Sequence, residues 1–206
     1  MVGKVRNNTR GKLLDAAEKL VNHQGFSATS IDQINSAVGV TKGTFFYHFK
    51  TKQDLARALI DRFAAADGEL LRSNMERAEK LSEDPLQQVL IFTGLMLEVA
   101  EQLDSTTQPG CLYATYCFES GLFSDETKAV TAGAILKWRS ALSEKLRAIV
   151  KMHPPRKPVD IESLADMLTT LFEGAFVLAR TLEEKSTFRD QVQHYRTYLK
   201  LLFDPS

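Results

Sequence analysis

The chain has 206 residues, of which 44% are hydrophobic and 25% charged, a balance typical of a globular protein with one or two domains. Two cysteines are too few for a disulfide framework, and the longest apolar run, residues 89–97, is far shorter than the ~20 residues that cross a membrane. Residues 1–12 contain no apolar signal segment, so we expect a soluble, cytoplasmic protein with no membrane partner.

The formal net charge is zero, which taken alone argues against a nucleic-acid partner. The charges are unevenly distributed, however. The first 55 residues contain eight Lys and Arg but only four Asp and Glu, so they carry +4 and the other 151 residues carry −4. This asymmetry predicts a basic N-terminal head on an acidic body.

In chain order, the first predicted helix has apolar residues at helical spacing over residues 13–21 and ends at Gly25, a natural C-terminal cap. A second, short helix is predicted to begin with a capping box formed by Thr29 and Asp32. Thr51 and Asp54 repeat that capping pattern at the start of a long helix.

The remaining helices are predicted from the same apolar spacing. They cover residues 51 to about 81, 86 to about 103, 111–119, 124 or 125 to about 152, 160 to about 184, and about 188 to 203. The segment STTQPG at residues 105–110 is predicted to break the chain. No stretch alternates with period two, so the sequence predicts an all-α protein of about nine helices.

Residues 39–55, GVTKGTFFYHFKTKQDL, combine aromatic residues with lysines and threonines. The tight turn VGVT at residues 38–41 joins two short helices, as in a helix-turn-helix. Phe45 and Phe49 share one helical face and are predicted to point inward, which leaves Tyr47 and His48 on the outer faces.

The first turn of the second short helix is predicted to enter the major groove of DNA, because lysine donates to guanine O6 and N7 and glycine permits close backbone approach. The other polar side chains around it offer donors to phosphates. The predicted DNA-binding residues are Thr29, Thr41, Lys42, Gly43, Thr44, Tyr47, His48 and Lys52. The alternative is a solvated, capped helical hairpin.

Residues 7–67 resemble the N-terminal domain of the TetR family of bacterial transcriptional regulators. The motifs that carry the resemblance are Gly25-Phe26, Thr29-Ser30, Gly39-Val40, Lys42-Gly43-Thr44 and the aromatic-His-Phe-Lys-x-Lys sequence that ends at Lys52. Phe46 stands where the family usually has a tyrosine whose hydroxyl touches a phosphate, so the resemblance implies no such contact at this position.

The resemblance implies a DNA-binding domain at residues 7–67, with the helix-turn-helix at about 30–49, and a ligand-binding and dimerisation domain at residues 68–206. It also implies a homodimer that binds a pseudo-palindromic operator in double-stranded DNA, usually as a repressor. A small-molecule effector bound in the C-terminal domain would release the DNA.

The last two predicted helices have small and aromatic residues that suit pairing across a twofold axis into a four-helix bundle. The predicted dimer residues are Phe172, Gly174, Ala175, Leu178, Tyr195, Tyr198 and Leu202. The alternative is that these residues form an intramolecular core.

The central helices are rich in aromatic residues, which favours a pocket for a hydrophobic or aromatic ligand. The predicted lining is Phe92, Thr93, Met96, Tyr113, Tyr116, Cys117, Trp138 and Phe176. One alternative is a filled core with no cavity. Another is a redox or electrophile switch at Cys111 or Cys117, although neither cysteine has an adjacent cation that would lower its pKa.

Other classes of protein are less consistent with the sequence. No phosphate-binding loop, metal-spaced His/Cys cluster or nucleophile elbow is present, so we expect no enzyme, no catalytic residue, no metal and no cofactor. Glu98, Glu119 and Glu173 are candidates for a carboxylate site, but solvated or core-edge positions suit them better. A helical interaction module without DNA binding is the third class, and the salt dependence of DNA affinity separates it from a regulator.

Overall fold

The computed structural model describes residues 2–102, 111–184 and 186–203, and within these residues it contains nine α-helices and no strand. The predicted all-α fold is confirmed. The helices are α1 (Val2–Gln24), α2 (Ile31–Val38), α3 (Lys42–His48), α4 (Lys52–Leu81), α5 (Pro85–Gln102), α6 (Leu112–Phe118), α7 (Asp125–Met152), α8 (Ile161–Leu182) and α9 (Ser186–Phe203). The predicted break at residues 105–110 lies outside the described residues.

The described residues form two compact units. The first contains those within Met1–Ala65 and Gly110–Ala132, and the second contains those within Ala66–Pro109 and Gly133–Ser206. Helices α4 and α7 each contribute residues to both units, whereas α6 belongs wholly to the first. The short helix α6 therefore packs with the N-terminal head, although it lies beyond residue 67 in the sequence.

The capping box of α2 is one residue later than predicted. The N-cap is Ser30, whose Oγ accepts from Gln33 N at 3.1 Å, while Ser30 N donates to Gln33 Oε1 at 2.7 Å. The prediction of Thr29 and Asp32 was wrong because Thr29 is only 1% exposed and its hydroxyl donates to the carbonyl of Gly25 at 2.7 Å.

The capping box predicted for Thr51 and Asp54 at the start of α4 is confirmed. Thr51 N donates to Asp54 Oδ2 at 2.9 Å, and Asp54 N donates to Thr51 Oγ1 at 3.0 Å, so both halves of the capping box at α4 are present. Asp84 Oδ1 accepts from Leu86 N at 2.7 Å beside the first residue of α5, Pro85. The local capping signal at the start of α4 was sufficient to predict that helix start.

The second unit has a core that joins α4, α5, α7, α8 and α9. Its largest fully buried side chain is Tyr195, whose hydroxyl lies 3.4 Å from the carbonyl of Leu164. Four of the predicted dimer residues belong to this core: Phe172, Ala175, Tyr195 and Leu202. For these four residues the intramolecular alternative is the correct one. None of the helices in the described ranges has the length and apolar character needed to cross a membrane.

Candidate nucleic-acid interface

Helices α2 and α3 form the helix-turn-helix of the first unit. Gly39 ends α2 with φ +73°, and its N–H donates to the carbonyl of Asn35 at 2.9 Å. This positive φ favours glycine, because a side chain there would be strained. Phe45 and Phe49 are 0% and 2% exposed with ring centroids 5.7 Å apart, so the predicted inward face of α3 is confirmed.

The start of α3 faces away from this core. Thr41 caps the helix by accepting from Thr44 N at 3.3 Å, and Thr41, Lys42 and Gly43 are all exposed. Tyr47 is 61% exposed, while Thr44 and His48 are half-buried. Six of the eight residues predicted to bind DNA thus lie on α3 or at its N-cap.

The Lys42 ammonium lies 3.8 Å from the Asp32 carboxylate, and both side chains are exposed. An exposed ion pair of this kind is worth about 0–1 kcal/mol. The contact therefore places no strong restraint on the Lys42 side chain.

Lys52 and Thr29 have structural partners inside the first unit. Lys52 Nζ donates to the carbonyl of Phe26 at 2.6 Å and lies 4.2 Å from the centroid of the Phe26 ring. Burial lowers the pKa of Lys52, and the nearby charge of Glu119 opposes that shift. The hydroxyl of Thr29 is buried and already donates within the protein, which does not fit its predicted phosphate contact. The Lys52 ammonium uses only one of its three N–H donors on Phe26, so its phosphate contact stays a prediction.

Glu119 is a residue whose importance the sequence analysis missed. Its carboxylate accepts hydrogen bonds from the chain between α1 and α2, at Phe26 and Ser27. The signal in the sequence was indirect: a tight corner after Gly25 leaves backbone N–H groups that need acceptors. Glu98 and Glu173 belong to the second unit, so the three glutamates considered as a carboxylate site are divided between the units.

The residues predicted to line a ligand pocket are also divided. Tyr113, Tyr116 and Cys117 are in the first unit, whereas the other five residues, Phe92, Thr93, Met96, Trp138 and Phe176, are in the second. Tyr116 is 3% exposed and its hydroxyl donates to the carbonyl of Ala56 at 2.7 Å, while burial raises its pKa.

The five predicted pocket residues of the second unit lie in or against its aromatic core. The Trp138 ring centroid is 5.9 Å from that of Phe92, and its Nε1 donates to Asp67 at 2.8 Å. The hydroxyl of Thr93 is fully buried, donates to backbone carbonyls of α5 and lies 3.0 Å from Arg196 Nη1. An apolar ligand here would contact aromatic rings and few polar groups that lack a hydrogen-bond partner within the protein.

A groove of about 440 Å³ lies elsewhere, between α1 and α4 of the first unit. Its lining includes Arg10, Arg57 and Arg62 together with Asp54 and Asp61, and Arg57 pairs with Asp61 at 2.9 Å. This charged lining differs from the apolar lining predicted for the effector site.

The two cysteines are both free thiols. Cys111 precedes α6 and is half-buried, whereas Cys117 is exposed on α6. Within the described ranges, no group of three or more His, Cys, Asp and Glu residues is arranged to hold a metal ion.

Family models match both parts of the chain. The model for bacterial regulatory proteins of the tetR family matches residues 13–59. The model for the C-terminal domain of LmrA/YxaF-like transcriptional regulators matches residues 85–194, which is more than half of the chain. The first match contains the helix-turn-helix described above.

Individual relatives agree with these matches. The chain is 24% identical over 183 residues to the HTH-type transcriptional regulator YxaF of Bacillus subtilis strain 168, with 88% of this chain and 90% of that protein covered. It is 28% identical over 181 residues to the HTH-type transcriptional regulator LmrA of the same organism, with coverage of 87% and 90%.

A solved structure shows the same fold. The reduced form of NemR from E. coli has a TM-score of 0.76 and 20% identity to this chain, with 97% of this chain and 99% of that chain covered. The two family models, the helix-turn-helix geometry and the shared fold agree, and the chain belongs to the TetR family of HTH-type transcriptional regulators.

Proposed function

We propose that this regulator is a cytoplasmic repressor that binds a pseudo-palindromic operator as a homodimer and is released by a small hydrophobic or aromatic ligand. The observation that carries the DNA-binding part is the exposed first turn of α3 above a fully buried Phe45. A helix fixed by buried aromatic residues and exposed at its N-terminal end suits the major groove.

Within this interface, Lys42 and Gly43 face base edges, and Lys42 leaves Asp32 to donate to guanine. Thr41, Thr44, Tyr47 and His48 donate to the phosphates on either side. Thr29 is left out of the proposed interface because it is buried and its hydroxyl donates to the carbonyl of Gly25. Lys52 keeps its proposed phosphate contact, because its ammonium has N–H donors besides the one that binds the carbonyl of Phe26.

The dimer is proposed to form through apolar residues that the single chain leaves exposed on α8 and α9. Leu178 is 44% exposed and Tyr198 is 41% exposed, and Gly174 is exposed beside the buried Ala175. Val177, Leu182 and Leu201 on the same two helices are 55%, 55% and 64% exposed. Exposed apolar residues of this size on two helices are typical of an interface between subunits.

The ligand is proposed to bind beside Trp138 in the second unit, among Phe92, Met96 and Phe176. Trp138 is the only tryptophan in the chain, so its fluorescence reports on this site without labelling. Hydrophobic compounds that bind there are expected to quench or shift the emission and to release DNA at the same concentrations. DNA release without any change in emission would place the ligand elsewhere.

The decisive experiment for the whole proposal is selection of random DNA duplexes with the purified full-length protein. We expect an inverted repeat whose half-sites are about one DNA turn, ~35 Å, apart. Affinity for this duplex should fall about ten-fold or more between 50 and 200 mM salt. Failure to enrich any repeat, or an affinity independent of salt, would overturn the proposal. Insertion of the selected duplex into a reporter promoter then distinguishes repression from activation.

A further inference from the structure

The chain between α1 and α2, residues 25–27, is held by a carboxylate from far along the sequence. Glu119 Oε2 accepts from Phe26 N at 2.8 Å and from Ser27 N at 3.2 Å, and Glu119 Oε1 accepts from the Ser27 hydroxyl at 2.6 Å. Hydrogen bonds to an ionised carboxylate are stronger than those between neutral groups. We call residues 25–27 the corner.

The corner is built to admit this carboxylate. Gly25 has φ +86°, and a Cβ atom placed on it would lie 3.0 Å from Glu119 Oε1. Any other residue would therefore suffer backbone strain, and its Cβ atom would make the carboxylate shift by a few tenths of an ångström. Two independent requirements for glycine thus coincide at the place where Glu119 binds.

The corner is also bonded to the residues at the start of the helix-turn-helix. Thr29 Oγ1 donates to the carbonyl of Gly25, and Ser30, the next residue, is the N-cap of α2. On the other side of the helix-turn-helix, Lys52 at the start of α4 donates to the carbonyl of Phe26. A displacement of the corner would therefore also move the residues at both ends of the helix-turn-helix.

Glu119 belongs to a segment that holds α4 as well. This α6 segment consists of Leu112–Phe118, Glu119 and the short 3-10 helix Ser120–Leu122. The carbonyl of Leu122 accepts from Gln53 Nε2 at 2.7 Å, and the hydroxyl of Tyr116 donates to the carbonyl of Ala56 at 2.7 Å.

Aromatic packing strengthens the same junction. Tyr116 stacks on Phe123 with ring centroids 4.2 Å apart, and Phe123 packs on Phe26 at 4.9 Å. The α6 segment thus holds the corner through Glu119 and α4 through Tyr116 and Leu122.

We propose that Glu119 is a positioning residue for DNA binding: its carboxylate fixes the corner, and the fixed corner holds the start of the helix-turn-helix in the position that binds the operator. This inference rests on the proposed operator binding. With the corner fixed, α2 and α3 are ordered before they meet DNA. Without it, DNA binding must order them and becomes weaker.

The test compares Glu119→Gln with Glu126→Gln in the full-length protein, with the duplex selected by the wild-type protein as probe. Each substitution removes one negative charge from the first unit, so their general electrostatic effects on DNA binding are matched. Glu126 is exposed near the start of α7. We expect Glu119→Gln to bind the duplex about five-fold or more weakly than Glu126→Gln.

Ser27→Ala provides the partner for a double-mutant cycle. It should weaken DNA binding in the same direction, and the double variant should bind no more weakly than Glu119→Gln alone, because both changes break one contact. Hydrogen exchange at the amides of Phe26 and Ser27 should also be faster in Glu119→Gln than in wild type.

A purely structural Glu119 would lower the melting temperature but leave the affinity at that of Glu126→Gln, and this result, like tighter binding, overturns the inference. If Glu119→Gln does not fold, Ser27→Ala decides alone, and an unchanged affinity overturns the inference. Failure of the wild-type selection would instead count against operator binding itself, so the two failures are distinguishable.

Discussion

Asn35 is a buried polar residue in α2, and its replacement should stabilise the protein. The side chain is 5% exposed, and neither Oδ1 nor Nδ2 has a hydrogen-bond partner among the described residues. A buried polar group without a partner costs about 1–3 kcal/mol. The backbone carbonyl of Asn35 accepts from Gly39 and Val40, and Asn35→Ala leaves both of these bonds intact.

Two further effects set the size of the gain. Alanine is a better helix former than asparagine by up to about 0.7 kcal/mol. The smaller side chain leaves a cavity, which offsets part of the gain. We expect a net stabilisation of about 1–2 kcal/mol, and at about 2–4 °C per kcal/mol for a chain of this length the melting temperature should rise by about 2–8 °C.

The assay is thermal unfolding followed by circular dichroism, with Ser36→Ala as the matched control. Ser36 is exposed on the same helix, so its replacement changes helix propensity without changing a buried group. Asn35→Ala should therefore stabilise more than Ser36→Ala. A melting temperature below that of wild type would refute the reasoning, because it would mean that the amide makes favourable bonds, for example to water.

Three other predictions concern the proposed interfaces. Lys42→Ala should weaken DNA binding by about 1–3 kcal/mol and relax the sequence preference at one position of the operator. Tyr47→Phe should weaken binding to all duplexes alike. If both variants lose the same affinity for every duplex, Lys42 does not contact a base. Gly174→Leu should give a monomer with little operator affinity in sedimentation and DNA-binding assays, whereas Gly68→Leu should remain a dimer. A Cβ atom meets nothing within 4 Å at either glycine, so neither substitution should disturb the fold of the single chain. A wild-type monomer at micromolar concentration would contradict the proposed dimer. The variant with both Cys111 and Cys117 changed to serine should still release DNA with hydrophobic compounds, and loss of every response would favour a thiol switch.

The helix-turn-helix could be predicted from the sequence because its signals are local. Glycine caps, capping boxes and the spacing of Phe45 and Phe49 each depend on neighbours within a few residues. The exception at α2 shows the limit of this reasoning. Thr29-x-x-Asp32 and Ser30-x-x-Gln33 both fit the capping pattern, and only the burial of Thr29 against the rest of the first unit decides between them.

The dimer surface could be predicted only in part. On α8, Gly174 and Ala175 are neighbours in sequence but point about 100° apart, and the second is buried while the first is exposed. The sequence shows that both are small and lie in an apolar helix. It does not show which side of the helix the rest of the chain covers, because that depends on α9 and the other helices of the second unit.

The corner between α1 and α2 explains why long-range contacts escaped the sequence analysis. A turn through Gly25 with positive φ leaves the N–H groups of Phe26 and Ser27 outside any helix, so these two groups need hydrogen-bond acceptors from elsewhere. The sequence does not show which residue supplies the acceptors, since Glu119 is 93 residues from Phe26 and the residues around Glu119 give no sign of this partner. Lys52 illustrates the same limit: its place beside the helix-turn-helix suggests a phosphate contact, but the sequence gives no sign that its ammonium also donates to the carbonyl of Phe26. Opposite charges on Glu119 and Lys52 thus hold the two polar ends of one residue's backbone, the N–H and the C=O of Phe26. Because one of these side chains begins α4 and the other follows α6, the position of the corner depends on both helices.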